Sequence, residues 1–139
     1  MYFNAPLRRR HTLLLKRRLP INGVTSAFDL ASCEQNSCLY SCNLNGGCVF
    51  KIDAKENTTN WTTKRSTQSL SVTAKSNVLL TSSHTSKLIE YTADVNLLKE
   101  IVLQPVSKYL LHSAQLSNDQ FLVHSDGSDK CVCVINNDG

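Results

Sequence analysis

The stretch Val78-Leu79-Leu80-Thr81-Ser82-Ser83-His84-Thr85-Ser86-Lys87-Leu88-Ile89-Glu90-Tyr91 decides the fold. Two short apolar runs flank a cluster of Ser, His and Thr, which is the pattern of a strand, a turn and a second strand. The unit occurs earlier as Cys38-Leu39-Tyr40-Ser41 and Cys48-Val49-Phe50-Lys51-Ile52-Asp53, around Asn43-Leu44-Asn45-Gly46-Gly47. It occurs again as Phe121-Leu122-Val123-His124 and Cys131-Val132-Cys133-Val134-Ile135, around Ser125-Asp126-Gly127-Ser128-Asp129. Leu39 lies 40 positions before Leu79 and Leu79 lies 42 before Phe121; the steps from Val49 to Leu88 and from Leu88 to Val132 are 39 and 44. Short strands repeating about every forty residues indicate propeller blades. A blade cannot bury both faces of its sheet alone, so the blade count limits what the chain can be.

Each repeat divides into strand-like runs. The first adds Phe28-Asp29-Leu30-Ala31 before and Asn60-Trp61-Thr62-Thr63 after. The second adds Ser69-Leu70-Ser71-Val72-Thr73 and Leu97-Leu98-Lys99-Glu100-Ile101-Val102-Leu103. The third adds Ser113-Ala114-Gln115-Leu116 and stops at Asn137-Asp138-Gly139, a hairpin turn with no strand after it. Between Val95 and Leu111, Pro105 and the β-branched content favour strand and loop over helix. Leu14-Leu15-Lys16-Arg17-Arg18-Leu19-Pro20 is similar to the run from Leu97 to Pro105 and predicts an outer strand over 12–19. The expectation is an incomplete β-propeller of about three four-stranded antiparallel blades: outer strand 12–19, blade 28–64, blade 69–104 and incomplete blade 110–139, behind a basic disordered leader over 1–11.

Three blades are fewer than the four to eight that surround a propeller channel. Either two chains pair into a ring of six, or the chain is a piece of a longer propeller. The second reading is preferred, because an open arc leaves an apolar face exposed.

The 139 residues carry a net charge of +4, but unevenly. Arg8, Arg9, Arg10, Lys16, Arg17 and Arg18 give residues 1–28 six basic groups and no acidic one. The remainder holds nine basic and eleven acidic groups, which argues against a broad nucleic-acid surface on the repeats. Those six residues are the candidate contacts to RNA phosphates or another anion. The longest apolar run of the leader, Leu13-Leu14-Leu15, is far short of a signal peptide, and no run reaches the length of a membrane span. The expected location is cytoplasmic, with a mitochondrial transit peptide as the competing reading of an Arg-rich, acid-free leader.

With these residues laid out, the chain resembles the NHL-repeat β-propellers at the C-terminal end of many tripartite-motif proteins. The resemblance rests on Leu30-Ala31 as inner strand, on Leu39-Tyr40-Ser41-Cys42-Asn43 as the second strand, and on Gly47-Cys48-Val49-Phe50-Lys51-Ile52 as the third. Gln120 to His124 and Lys130 to Ile135 repeat the pattern. The motif's acidic residue after the second strand is replaced by Asn43 in the first blade and absent from the second. Its Arg is Cys48, Lys87 and Lys130 in turn. The resemblance implies a non-enzymatic scaffold that binds a protein partner through loops held by rigid blades, with RNA binding as the alternative. Self-association to complete the ring is a further expectation.

No catalytic set is legible. Cys33, Cys38, Cys42 and Cys48 have spacings x4, x3 and x5, without the paired C-x2-C knuckles of a zinc site. Packed apolar thiols are the default, with a Cys42–Cys48 cross-strand disulfide as an oxidising-compartment alternative. Cys131 and Cys133 read as core positions on a strand. His11, His84, His112 and His124 fall on different elements, and a Cys133–His124 nucleophile and base lacks an orienting third group. Asp29, Asp94, Asp126 and Asp129 do not recur at one blade position, so no acidic metal ring is expected. Asn57-Thr58-Thr59 and Asn60-Trp61-Thr62 match the glycosylation acceptor but read as a polar loop and the start of an outer strand. No metal or cofactor is expected.

Overall fold

The structure is a computed structural model that describes residues 21, 23–24, 26–43, 47–63, 67–82, 85–103, 109–116, 119–126 and 130–136. The described residues form eleven strands and no helix. In chain order they are β1 (Ala27–Cys33), β2 (Cys38–Asn43), β3 (Cys48–Asp53), β4 (Thr58–Thr62), β5 (Ser69–Val72), β6 (Val78–Ser82), β7 (Lys87–Tyr91), β8 (Leu97–Val102), β9 (Leu110–Gln115), β10 (Phe121–Ser125) and β11 (Cys131–Ile135). They pair as three antiparallel meanders, β1-β2-β3-β4, β5-β6-β7-β8 and β9-β10-β11. The expected incomplete β-propeller is present, and the third sheet has three strands among the described residues. The expected outer strand over 12–19 lies outside the described residues.

The sheets stack face to face, and one apolar layer fills each gap. Between the first and second sheets lie Cys33, Cys38, Tyr40, Cys42 and Val49 from one side, and Leu70, Val78, Leu80 and Ile89 from the other. Trp61 closes this layer at its outer end, edge-on to Tyr40 with centroids 6.2 Å apart and tilted against Tyr91 at 6.5 Å. Aromatic pairs favour such offset geometries. Between the second and third sheets lie Leu79, Leu88, Ile101 and Leu103 against Leu110, Phe121 and Val123. Lys99 Nζ, 3.3 Å from the buried Glu90 carboxylate, sits 5.1 Å over the Phe121 ring and ties the two sheets electrostatically.

Equivalent positions in the three sheets follow from the strand pairing. One rung reads Asp29–Cys42–Val49–Trp61 in the first sheet, Ser69–Thr81–Leu88–Ile101 in the second, and His112–His124–Val132 in the third. The next reads Ala31–Tyr40–Lys51–Thr59, Ser71–Leu79–Glu90–Lys99, and Ala114–Leu122–Val134. In the first two sheets these rungs point forward, toward the sheet that follows. The expected match of Val49, Leu88 and Val132 holds. The expected match of Leu39, Leu79 and Phe121 is corrected: Leu79 is a forward residue, whereas Leu39 and Phe121 are on the opposite face, so Tyr40, Leu79 and Leu122 correspond. Between equivalent rung residues the β1–β2 hairpin is one residue longer than its counterparts, 13 positions from Asp29 to Cys42 against 12 from Ser69 to Thr81 and from His112 to His124. A one-residue offset places a side chain on the other face.

The hairpin turns at one end of the stack, called here the lower end, share a sequence: Asp53-Ala54-Lys55-Glu56-Asn57, Thr73-Ala74-Lys75-Ser76-Asn77 and Thr92-Ala93-Asp94-Val95-Asn96. In each, the first residue's N–H donates to the fifth carbonyl, and the fourth residue's N–H donates back to the first carbonyl. The fourth residue, Glu56, Ser76 or Val95, has φ of 68°, 62° or 69°. This is a type I turn followed by a left-handed residue. Asp53 Oδ1 accepts from the N–H of Lys55 and of Asn57, and Thr73 Oγ1 and Thr92 Oγ1 accept from Asn77 N and Asn96 N. Hydrogen bonds also cross between blades at this end: Ser76 Oγ donates to Gln35, Ala74 N to Gln115 Oε1 at 2.8 Å, and Lys51 Nζ to Ala93 O at 3.4 Å.

Candidate functional site at the axial end

The first strand of each sheet is its innermost, and β5 packs against both β1 and β9. Each therefore delivers the start of its forward rung to the upper end of the stack, near the axis. The residues there are Asp29, Ser69 and His112. Asp29 Oδ1 accepts from Leu30 N at 2.9 Å. Its Oδ2 accepts from Leu70 N of the second blade at 3.0 Å and lies 3.5 Å from Nδ1 of His112 in the third. One carboxylate thus joins all three blades. Ser69 beside it is buried, and its Oγ has no hydrogen-bond partner among the described residues. His112 and His124 are exposed and opposite each other on neighbouring strands, so the imidazoles reach solvent at this end.

Behind Asp29 on the same rung, the Cys42 thiol is fully buried. Burial first, and the Asp29 charge second, push it up to about 11, so it stays protonated near neutral pH. The cluster therefore offers a carboxylate, a hydroxyl and two imidazoles: hydrogen-bond acceptors and donors, with no thiolate nucleophile. Among the described residues no three His, Cys, Asp or Glu side chains group to hold a metal ion.

Other candidates fall elsewhere. Arg8, Arg9, Arg10, Lys16, Arg17 and Arg18 lie outside the described residues, as do His11 and His84. Cys33, Cys38 and Cys42 are buried packing residues with free thiols. The Cys42–Cys48 disulfide is corrected, because Cys42 pairs with Val49 and Cys48 is one residue further along, facing the other way. His124 and Cys133 sit on opposite faces of the third sheet, His124 pairing with Val132 and Cys133 with Val123, so they are not a nucleophile and base. Cys131 and Cys133 are half-buried, their sulfurs 3.3 Å apart. Asn57 sits in a lower turn with Nδ2 donating to Asp53 Oδ2 at 2.9 Å, and Asn60 is exposed on β4. A shallow recess of about 280 Å³ at the lower end of the first sheet, lined by Ser32, Cys33, Cys38, Leu39, Ile52 and Asp53 among others, lies at the opposite end of β1 from Asp29.

The sequence spacing concealed the axial cluster because its members differ in chemistry. Asp, Ser and His occupy one structural position, which a search for a recurring Asp passes over. The shared marker is the apolar third-strand position, Val49, Leu88 or Val132: following each rung inward from it through the strand pairing leads to Asp29, Ser69 and His112.

Stacked four-stranded meanders with inner strands converging on a polar axis define a segment of a β-propeller. Solved structures agree. The chain is similar to a luciferin-regenerating enzyme at 15% identity and a TM-score of 0.60, covering 72% of this chain and 37% of that one. It is similar to virginiamycin B lyase from Staphylococcus aureus at 11% and 0.61, covering 83% and 42%. It is similar to regucalcin, a calcium-binding protein from Agrobacterium tumefaciens, at 11% and 0.58, covering 74% and 39%. The chain therefore spans about two fifths of the length of these propellers. No family model and no curated protein matches the sequence.

These likenesses correct the expectation that the chain has no enzymatic chemistry. Two of the three carry the names of enzymes, so the architecture itself does not exclude catalysis. The fold brings together a carboxylate and an imidazole, Asp29 and His112, that lie 83 positions apart in sequence. Among the described residues, no helix is long and apolar enough to cross a membrane.

Proposed function

We propose that the chain is a protein-interaction scaffold of the propeller type that holds its partner at the upper, axial end of the blade stack. The observation that carries this reading is the convergence of three inner strands on one polar level at the upper end. At the lower end the polar groups of the turns are engaged in closing those turns and in tying neighbouring blades together. At the upper end, three inner strands bring Asp29, Ser69 and His112 to one level, with an unpartnered Ser69 Oγ and exposed imidazoles at His112 and His124. A rigid frame with polar groups at one end fixes orientation and gives specificity to a bound surface. The likeness of the blades to NHL repeats supports the same reading, since those propellers present loops to protein partners.

The test is to pan a random peptide library against the folded chain and map the selected peptides by amide chemical-shift perturbation. Shifts clustered at Asp29, Ser69, His112 and His124, abolished by Asp29→Asn with His112→Ala, support the reading. Shifts clustered at the lower turns around Glu56, Ser76 and Val95 overturn it.

A further inference from the structure

The forward face of the third sheet repeats a face that is buried in both preceding sheets. Tyr40 in the first sheet and Leu79 in the second are 0% exposed, and their counterpart Leu122 is 36% exposed. Val49 and Leu88 are 0% exposed, and their counterpart Val132 is 62% exposed; Val134, beside them, stands at 55%. The third sheet thus ends in the same kind of apolar surface that the first presents to the second and the second to the third. It is the next interface in an established series.

The surface that such a face receives is also known from that series. The second sheet meets the first with Leu70, Leu80 and Ile89, one residue from each of its first three strands. The corresponding rung on the rear of the first sheet reads Leu30–Ser41–Phe50. Leu30 is 62% exposed there and its neighbour Phe28 is 50% exposed. Phe50, further out, is buried, with the Gly23 backbone beside its ring: a Cβ on Gly23 would lie 3.5 Å from Cε1. This is the position where Trp61 of the first blade covers the second, so the chain entering β1 stands where a preceding blade's outer part stands. The inner part of that rear face, at Leu30 and Phe28, is bare.

We propose that the occupant of the third sheet's forward face is a second copy of this chain, presenting the Leu30–Phe28 side of its first sheet. The two ends of one chain carry the two halves of a single type of interface. Two copies related by a two-fold axis along the propeller axis then make that contact twice and close a six-bladed ring. Closure brings two sets of Asp29, Ser69 and His112 to one channel. The inference rests on the blade stacking and not on the recognition reading.

The test is sedimentation of the full chain with two charge variants, Leu30→Glu and Leu122→Lys. These positions correspond to Leu70 and Tyr40, which share one core layer. Wild type is expected at about 31 kDa, twice the 15.5 kDa chain. Each variant alone is expected at 15.5 kDa, and an equimolar mixture is expected to return to about 31 kDa, because one seam is then wild type and the other pairs Glu with Lys. Circular dichroism confirms that each variant is folded, and Val132→Lys replaces Leu122→Lys if it is not. A wild-type monomer throughout the micromolar range overturns the proposal and leaves the face to further blades of another chain. A Leu30→Glu variant that still dimerises overturns it in favour of pairing between two third sheets.

Discussion

Asp29 Oδ2 lies 3.5 Å from His112 Nδ1 while accepting a hydrogen bond from Leu70 N, so one carboxylate bridges three blades that share no strand pairing. The two contacts differ in value. Leu70 N is part-buried and loses its acceptor when the carboxylate is removed, whereas the imidazole is half-exposed and screened. Asp29→Ala is expected to cost about 1–3 kcal/mol, the penalty of an unsatisfied buried donor. Asp29→Asn, which keeps an oxygen in place, costs less, and His112→Ala changes stability by less than about 1 kcal/mol. Urea unfolding midpoints check the order. Equal losses for Asp29→Ala and His112→Ala contradict it.

Val95 is a β-branched residue held at φ 69° in the third of the repeated lower turns. The left-handed region costs an L-residue about 1–2 kcal/mol, and Asn visits it with local compensation. Val95→Asn is therefore expected to stabilise the chain by roughly 1 kcal/mol, seen as a raised thermal midpoint. A lowered midpoint shows that the Val95 side chain contributes more than its backbone strain removes.

The Asp53 carboxyl is held below its ordinary range, first by the side-chain donor of Asn57 and then by the Asn57 N–H, with Lys55 N adding to it. A carboxyl depressed by folding contributes stability above its unfolded pKa of about 3.9, and that contribution disappears as pH falls through the lower folded value. Carbon-detected titration is expected to place Asp53 below the unfolded value in the native chain and to move it upward in Asn57→Ala. The stability lost in that variant is expected to be larger at neutral pH than below the folded value. A titration unchanged by Asn57→Ala contradicts the assigned cause.

Cys42, pushed up to about 11 by burial and by Asp29, is expected to resist alkylation at pH 8 until the chain unfolds. Peptide mapping after brief iodoacetamide treatment checks this, with the half-buried Cys131 as the internal comparison. Early labelling of Cys42 in a folded chain shows that the first blade interface opens.

Much of this architecture was legible in the sequence, for reasons that differ by strand. Third strands such as Cys48–Asp53 and Lys87–Tyr91 carry their apolar residues between polar bounds, which fixes their spacing. The second strands Cys38–Asn43 and Val78–Ser82 are buried on both faces and show almost no alternation. Nothing in such a run reveals which residue points forward, so matching the runs by position pairs Leu39 with Leu79 one step out of phase. The lower turns carry no glycine signal, because their left-handed positions are Glu56, Ser76 and Val95. The axial site was hidden more deeply, since Asp29, Ser69 and His112 share a position without sharing a chemistry.

The central claim is that three separate sheets fan about one axis, with two apolar layers that share no residue. Nuclear Overhauser spectroscopy of the methyl and aromatic protons tests it most directly. The account predicts cross-peaks from Leu80 to Tyr40 and its neighbours, and from Leu79 and Leu88 to the Phe121 layer, with none between Tyr40 and Phe121. Cross-peaks joining Tyr40 to Phe121 would show a single two-layered sandwich and contradict the stacked blades.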